Sequence, residues 1–89
     1  MPNTDDFRAE LNARIERAGR LGRAHIDVNA GELHRALGGY PSPEHAMPSC
    51  CNVMRERFDP AVDEILAEPP SGRGASLSIR YCTQPGIRR

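Results

Sequence analysis

Two adjacent cysteines, Cys50 and Cys51, and two histidines, His34 and His45, are the side chains best suited to metal or nucleophilic chemistry. Zinc-binding cysteines are usually separated by about two to four residues, and neighbouring helical side chains point about 100° apart, so the two cysteines are poorly placed to share one ion. A nucleophilic cysteine needs a base and a group that orients this base, and no such group accompanies Cys51 and His45. We therefore expect no metal and no catalytic thiol, with one cysteine in the core and the other at its edge.

The acidic pair Asp63-Glu64 and the segment Gly72-Arg73-Gly74 are the other candidates for chemistry. The two carboxylates are adjacent and close to a turn, which is typical of solvated charge or of a strand start and not of an acid–base pair. The glycine segment lacks the spacing and the following helix of a phosphate-binding loop. The sequence thus predicts a protein that is not an enzyme and has no cofactor, metal or small-molecule substrate.

Length and composition favour one small domain spanning residues 1–89, with an ordered core at about 5–83. Such a core is small, so dimerisation is a reasonable way to add buried area. Three cysteines, two of them adjacent, do not form a disulfide framework, and the acidic N-terminus has no apolar stretch typical of a signal peptide. No apolar run is long enough for a membrane span. These features predict a cytoplasmic protein with reduced thiols and no membrane partner.

The charge of the chain is balanced overall but divided along the sequence. Twelve arginines and twelve acidic residues give a formal net charge of zero, and there is no lysine. Residues 69–89 carry four arginines and no acid, whereas residues 41–68 carry two arginines and six acids, so these segments hold +4 and −4. A neutral total counts against nucleic acid as a partner, because neutralising phosphates supplies much of the affinity. The separation of the charges weakens this objection, because residues 69–89 are positively charged. The arginine side chain also binds both phosphate groups and guanine.

The spacing of apolar residues predicts three helices. Thr4 is a candidate N-cap for the first, and Asn29, with Glu32 three residues later, is a candidate N-cap for the second. Gly38-Gly39 ends the second helix, and Pro48 suits the first turn of the third. The predicted helices cover residues 5–19, 30–37 and 47–57.

Alternation of apolar and polar residues predicts strands before the second helix and after the third. Residues 24–28 read as a short strand, and residues 75–82 alternate over their whole length. Together with the apolar run 65–67, on the other side of the glycine-containing loop 69–74, the last strand predicts a C-terminal β-hairpin. The tail 84–89 is expected to fray.

This order of elements resembles the winged helix-turn-helix fold over about residues 5–83. The segments GELHRALGGYP (31–41), MPSCCNVM (47–54) and GRGASLSIRY (72–81) are also similar to a family of short, poorly characterised bacterial proteins, related segments of which accompany restriction-type nucleases. The resemblance implies an α+β, winged-helix-like fold in which three helices pack with a short strand and a C-terminal β-hairpin. It also implies a non-catalytic protein that binds double-stranded DNA.

In a winged helix the third helix lies in the major groove, and here the loop 69–75 would form the wing. Asparagine pairs bidentately with adenine and arginine with guanine, while further arginines hold phosphates. The DNA-binding residues that the resemblance implies are Arg35, His45, Ser49, Asn52, Arg55 and Arg73.

Each of these assignments has a plain structural alternative. The three residues of the third helix also fit a solvated face, Arg73 fits an exposed turn, and His34 and His45 are expected as surface or capping residues. The connection before the third helix is longer than in a standard helix-turn-helix, and the acids of residues 56–68 repel DNA if they lie on the side of Arg55. The alternative function is a protein–protein interaction module, or a homodimer of the same fold, that uses the exposed hairpin edge.

Overall fold

Three helices and a three-stranded antiparallel sheet form a mixed α+β fold within residues 3–38, 46–70 and 74–83, the part of the chain that this computed structural model describes. The helices are α1 (Thr4–Arg20), α2 (Ala30–Leu37) and α3 (Met47–Arg57), and the strands are β1 (His25–Asn29), β2 (Glu64–Ala67) and β3 (Ser78–Cys82). The predicted tail 84–89 lies outside the described residues. No helix in the described ranges is long and apolar enough to cross a membrane.

The start of α1 differs from the prediction, because Asn3 and not Thr4 is the N-cap. The Asn3 side chain accepts a hydrogen bond from the backbone N–H of Asp6 at 2.9 Å, and the Asp6 carboxylate accepts one from the Asn3 N–H at 2.9 Å. This reciprocal pair satisfies two backbone donors at the helix start. The predicted apolar stripe is confirmed, since the buried residues of α1 are Phe7, Leu11, Ile15 and Ala18.

The first turn of α2 is tied to the sheet through Asn29, the predicted N-cap. The Asn29 side chain accepts a hydrogen bond from the Glu32 N–H at 3.0 Å and donates one to Ser78 Oγ at 3.0 Å. The helix ends, as predicted, at Gly38, whose φ of 92° lies in the region that favours glycine. The direction in which α2 leaves β1 is therefore fixed by contacts on both sides of the junction.

The strand β3 is central in the sheet, which has the order β1-β3-β2. It pairs antiparallel with both neighbours, and Ile79 lies opposite Val28 of β1 and Ile65 of β2. Because the strands alternate, the inner face of the sheet is apolar, and Ile79 and Tyr81 are fully buried.

The predicted strand 75–82 begins later than its alternating pattern suggests. The Leu77 N–H donates to the Gly74 carbonyl at 3.1 Å, and this bond closes a turn before β3 starts at Ser78. The other strand bounds differ less, with β1 shifted by one residue from the predicted 24–28.

The core lies between the three helices and the inner face of the sheet. Tyr81 is the largest fully buried side chain, and its hydroxyl donates to the Met54 carbonyl at 2.8 Å, so that its polar end is satisfied. Phe58 packs partly buried against this core, whereas Tyr40 lies outside the described residues. The buried cluster consists of Phe7, Leu11, Ile15, Val28, Ala30, Leu33, Met47, Cys50, Cys51, Val53, Met54, Leu77, Ile79 and Tyr81.

Candidate nucleic-acid interface

The helix α3 has the predicted bounds and presents one polar side to solvent. Pro48 stands in its first turn, where a missing N–H costs no helical hydrogen bond. Asn52 and Glu56 are exposed, and Ser49 and Arg55 are half-buried beside them. The three predicted contacts on this helix, Ser49, Asn52 and Arg55, therefore lie on or next to its solvent-facing stripe.

The guanidinium of Arg55 is held by a carboxylate. Its Nη2 donates to Glu68, directly after β2, at 2.8 Å, and the two side chains are 34% and 51% exposed. One acid of the segment 56–68 thus lies on the same side as Arg55, which is the arrangement that the sequence identified as unfavourable for DNA. An exposed ion pair of this kind stabilises a protein by only about 0–1 kcal/mol, so it opens at little cost.

The other two charged residues of α3 contact α1. Glu56 accepts a hydrogen bond from Arg8 at 3.1 Å, and Arg57 donates one to the side chain of Asn12. The hydrogen bond that Arg8 donates to Glu56 and the negative charge of Glu56 raise the pKa of Arg8. These residues line a pocket of about 220 Å³ between the helices, with Leu11 and Val53 as its apolar part. The pocket carries both signs of charge and gives no reason to expect an anionic ligand.

Three of the predicted residues belong to other parts of the sequence than α3. Arg35 is exposed on the neighbouring helix α2. His45 and Arg73 lie outside the described residues. On the sheet, Arg80 donates to both carboxylate oxygens of Asp27, at 2.8 and 3.3 Å, and this contact lowers the pKa of Asp27. The Arg80 side chain is therefore paired with Asp27 on β1.

His34 is not the surface residue that was one of its two predicted roles, because its side chain is fully buried, but the predicted capping role is confirmed by its contact with Gly38 at the end of α2. Its Nε2 accepts from the Ala46 N–H at 2.9 Å and its Nδ1 lies 3.1 Å from the Gly38 carbonyl, an arrangement that suits a neutral imidazole with the proton on Nδ1. The ring also meets Phe7 edge to face at 4.9 Å. His34 thereby joins the end of α2 to the start of α3. The spacing Ala30, Leu33, His34, Leu37 is the helical signal that places this residue on the buried side.

All three cysteines are buried, so the expectation that Cys50 or Cys51 lies at the edge of the core is wrong. Both are 0% exposed, and Cys82 is 5% exposed. The sulfur of Cys50 lies 3.6 Å from the Ala30 carbonyl and that of Cys51 lies 3.5 Å from the Gly74 carbonyl. Burial raises the pKa of Cys50 to about 12, which keeps it a protonated, unreactive thiol. Among the described residues, no three His, Cys, Asp or Glu side chains are grouped as metal ligands.

This burial predicts that the thiols of the folded protein are protected. We expect Cys50, Cys51 and Cys82 to react with a disulfide reagent such as DTNB at least about 100-fold more slowly in buffer than in urea, because reaction requires opening of the structure. Absorbance at the wavelength of the released thiolate measures the rate. A Ser76→Cys variant, with its new thiol at an exposed position, should label at once at that site. Fast labelling of the unmodified chain would contradict the structure.

The pair Asp63-Glu64 stands at the start of β2, which is one of its two predicted roles, but the other role, solvated charge, is wrong for Asp63, whose side chain is buried and 8% exposed. One carboxylate oxygen accepts from the Asp59 N–H at 2.8 Å, and the other accepts from the Cys82 N–H at 2.8 Å. The carboxylate therefore ties the turn before β2 to the last residue of β3. Charged hydrogen bonds of this type are stronger than neutral ones.

Comparisons of the chain with known protein families, with curated proteins and with solved structures gave no match. They neither support nor oppose the resemblance to short bacterial proteins. The geometry of α2, α3 and the sheet is therefore the basis on which a function is proposed.

Proposed function

We propose that the chain is a non-catalytic, DNA-binding winged-helix protein in which α3 enters the major groove. The order α1-β1-α2-α3-β2-β3 and the strand order β1-β3-β2 support this fold, with α2 and α3 as the helix-turn-helix and β2 and β3 as the hairpin. The residues between β2 and β3 form the wing. Double-stranded DNA is the partner that we propose for this arrangement of a helix beside a loop.

The observation that carries this proposal is that α3 contacts both ends of the connection between β2 and β3. Arg55 bonds to Glu68 at the end that follows β2, and the Cys51 sulfur lies 3.5 Å from the Gly74 carbonyl near the end that precedes β3. The connection therefore starts and finishes beside the helix. A recognition helix and a wing that lie side by side on the protein surface contact adjacent parts of one DNA duplex.

The proposed contacts follow from the side chains on that side of the molecule. Asn52 is exposed on α3 and has the two-fold hydrogen-bonding geometry that adenine accepts. Ser49 lies one turn earlier, and Arg55 exchanges its carboxylate partner for a phosphate or a guanine. On α2, the exposed Arg35 contacts the phosphate backbone of the DNA. His45 and Arg73, which lie outside the described residues, are included in the proposed interface on the basis of the sequence alone.

The neutral net charge predicts modest affinity that depends strongly on salt. Because Glu68 competes with DNA for Arg55, we expect Glu68→Gln to strengthen binding up to about fivefold, the equivalent of opening an exposed ion pair. Asn52→Ala is expected to weaken binding to the preferred sequence about tenfold or more, as the loss of one bidentate base contact does. Fluorescence anisotropy of labelled duplexes at about 50 and 200 mM salt measures both effects.

The matched control is Glu16→Gln, which removes an exposed carboxylate that pairs with Arg20 on α1, away from the proposed interface. It changes the net charge as Glu68→Gln does and should alter affinity only through that total. If Glu68→Gln and Glu16→Gln changed the affinity for DNA equally, Arg55 would not have the binding role proposed for it. Absence of binding at the lower salt concentration, for both the unmodified chain and Glu68→Gln, would refute the proposed function.

A further inference from the structure

Two large apolar side chains are exposed among the described residues, and their electrostatic surroundings are opposite. Leu21, after α1, is 68% exposed, and Leu66, in β2, is 39% exposed. Leu21 has arginines on both sides in the sequence, at positions 20 and 23, whereas Leu66 stands between Glu64 and Glu68. One surface is therefore apolar and cationic, and the other is apolar and anionic.

The cationic surface is concave. A pocket of about 170 Å³, here called the basic pocket, is lined by Arg14, Arg17, Ala18, Leu21, Arg23 and Ile26. Ala18, Leu21 and Ile26 form its apolar part, and the three arginines form its charged part. Arg14 is paired with Glu10 at 2.9 Å, but the guanidinium groups of Arg17 and Arg23 form no ion pair within the described ranges.

The anionic surface projects from the edge of the sheet. We call Glu64, Leu66 and Glu68 the acidic ridge. The pairing of β2 with β3 shifts between Ile65 and Ala67, so that Leu66 has no residue opposite it. A bulge of this type redirects a side chain and interrupts the backbone pattern that a further strand would pair with. The ridge is therefore suited to side-chain contacts and not to addition of another strand.

We propose that the basic pocket of one copy of the chain binds the acidic ridge of a second copy. Leu66 then packs on the apolar part of the pocket. The carboxylates of Glu64 and Glu68, which are 67% and 51% exposed, exchange the arginines of their own copy, Arg80 and Arg55, for Arg17 and Arg23 of the other copy. The apolar part favours this occupant over a phosphate group, which gains nothing from Leu21 and Ile26. The contact is small and charged, so the association is weak and sensitive to salt.

The pocket and the ridge are different surfaces, so a single contact between them does not fix the symmetry of the assembly. Two copies form a closed dimer if each pocket takes the ridge of the other copy, and otherwise the copies form a ring or a chain. In every case, each contact needs one functional pocket and one functional ridge. This requirement allows a test by charge reversal and mixing.

Sedimentation equilibrium of the full chain without DNA, over a range of concentrations at about 50 and 500 mM salt, tests the proposal. We expect reversible association at low salt that is lost at high salt. The pocket variant Arg17→Glu/Arg23→Glu and the ridge variant Glu64→Arg/Glu68→Arg should each associate at least tenfold more weakly. A mixture of the two variants should associate again, because the reversed charges are complementary. Far-UV circular dichroism checks that both variants are folded.

The control Asp5→Arg/Glu32→Arg changes the net charge as the ridge variant does, at exposed positions in the first turns of α1 and α2, and should leave association unchanged. A chain that stays monomeric at millimolar concentration would overturn the proposal. So would association that survives in both variants, or a mixture that fails to associate while both variants are folded. If the pocket variant loses only binding to DNA or inorganic phosphate, the pocket takes phosphate and the proposal is wrong. The sedimentation measurements are made without DNA and therefore do not depend on the proposed function of α3.

Discussion

Replacing His34 with alanine is expected to lower the free energy of unfolding by about 3 kcal/mol, since it removes a fully buried ring and the hydrogen-bond partner of two partly buried backbone groups. In the folded chain the imidazole bridges the Gly38 carbonyl and the Ala46 N–H, and it packs against Phe7. Urea unfolding followed by far-UV circular dichroism measures the change.

Two further variants separate packing from hydrogen bonding at this position. His34→Phe keeps an aromatic ring beside Phe7 but has no ring nitrogen, so a loss between that of His34→Ala and zero is expected. His25→Ala, at an exposed position of β1, should change the free energy by less than about 0.5 kcal/mol. Equal stabilities of His34→Ala and His25→Ala would show that the bridge between α2 and α3 is absent.

Replacing Asp63 with alanine is expected to cost about 3 kcal/mol, because two backbone N–H groups lose a charged acceptor. These are the N–H groups of Asp59 and Cys82, each 2.8 Å from a carboxylate oxygen. Thermal unfolding and urea unfolding both report the loss. The change should also increase hydrogen exchange at the Cys82 amide, which the carboxylate protects in the folded chain.

Asp63→Asn is the informative second variant. Its amide group keeps one acceptor oxygen but directs an NH2 group at the other backbone N–H, so we expect it to recover only part of the lost stability. Glu16→Ala, which removes an exposed carboxylate of α1, serves as the control and should lie within about 0.5 kcal/mol of the unmodified chain. If Asp63→Ala matched this control, the carboxylate would be solvated, as the sequence alone suggests.

Local signals in the sequence were sufficient for most of the helical structure. The bounds of α2 follow from Asn29 and Gly38, which act within one turn of the helix ends, and α3 follows from Pro48 and its apolar spacing. The start of α1 was missed because Asn3 and Thr4 are both good caps, and only Asp6, three residues after Asn3, decides between them. The fold class is confirmed as mixed α+β.

Features that depend on distant parts of the chain were not predictable in this way. The positions of Ser49 and Asn52 on the outer side of α3 follow from helical spacing, but the pairing of Arg55 with Glu68 requires the registration of α3 against the end of β2. The same holds for Asp63, whose partner on β3 is 19 residues away in the sequence. The overestimate of β3 has a local cause, since the alternating pattern continues through a turn at Gly74–Leu77.

The order β1-β3-β2 also affects how the protein folds as it is made. The central strand is the last of the three to leave the ribosome, and β1 and β2 have no common neighbour before it emerges. Residue pairs such as Val28 and Ile79 must close a loop of roughly 50 residues, and contacts of such long range slow folding. During synthesis the three helices therefore emerge before the sheet can be completed, because the sheet needs β3.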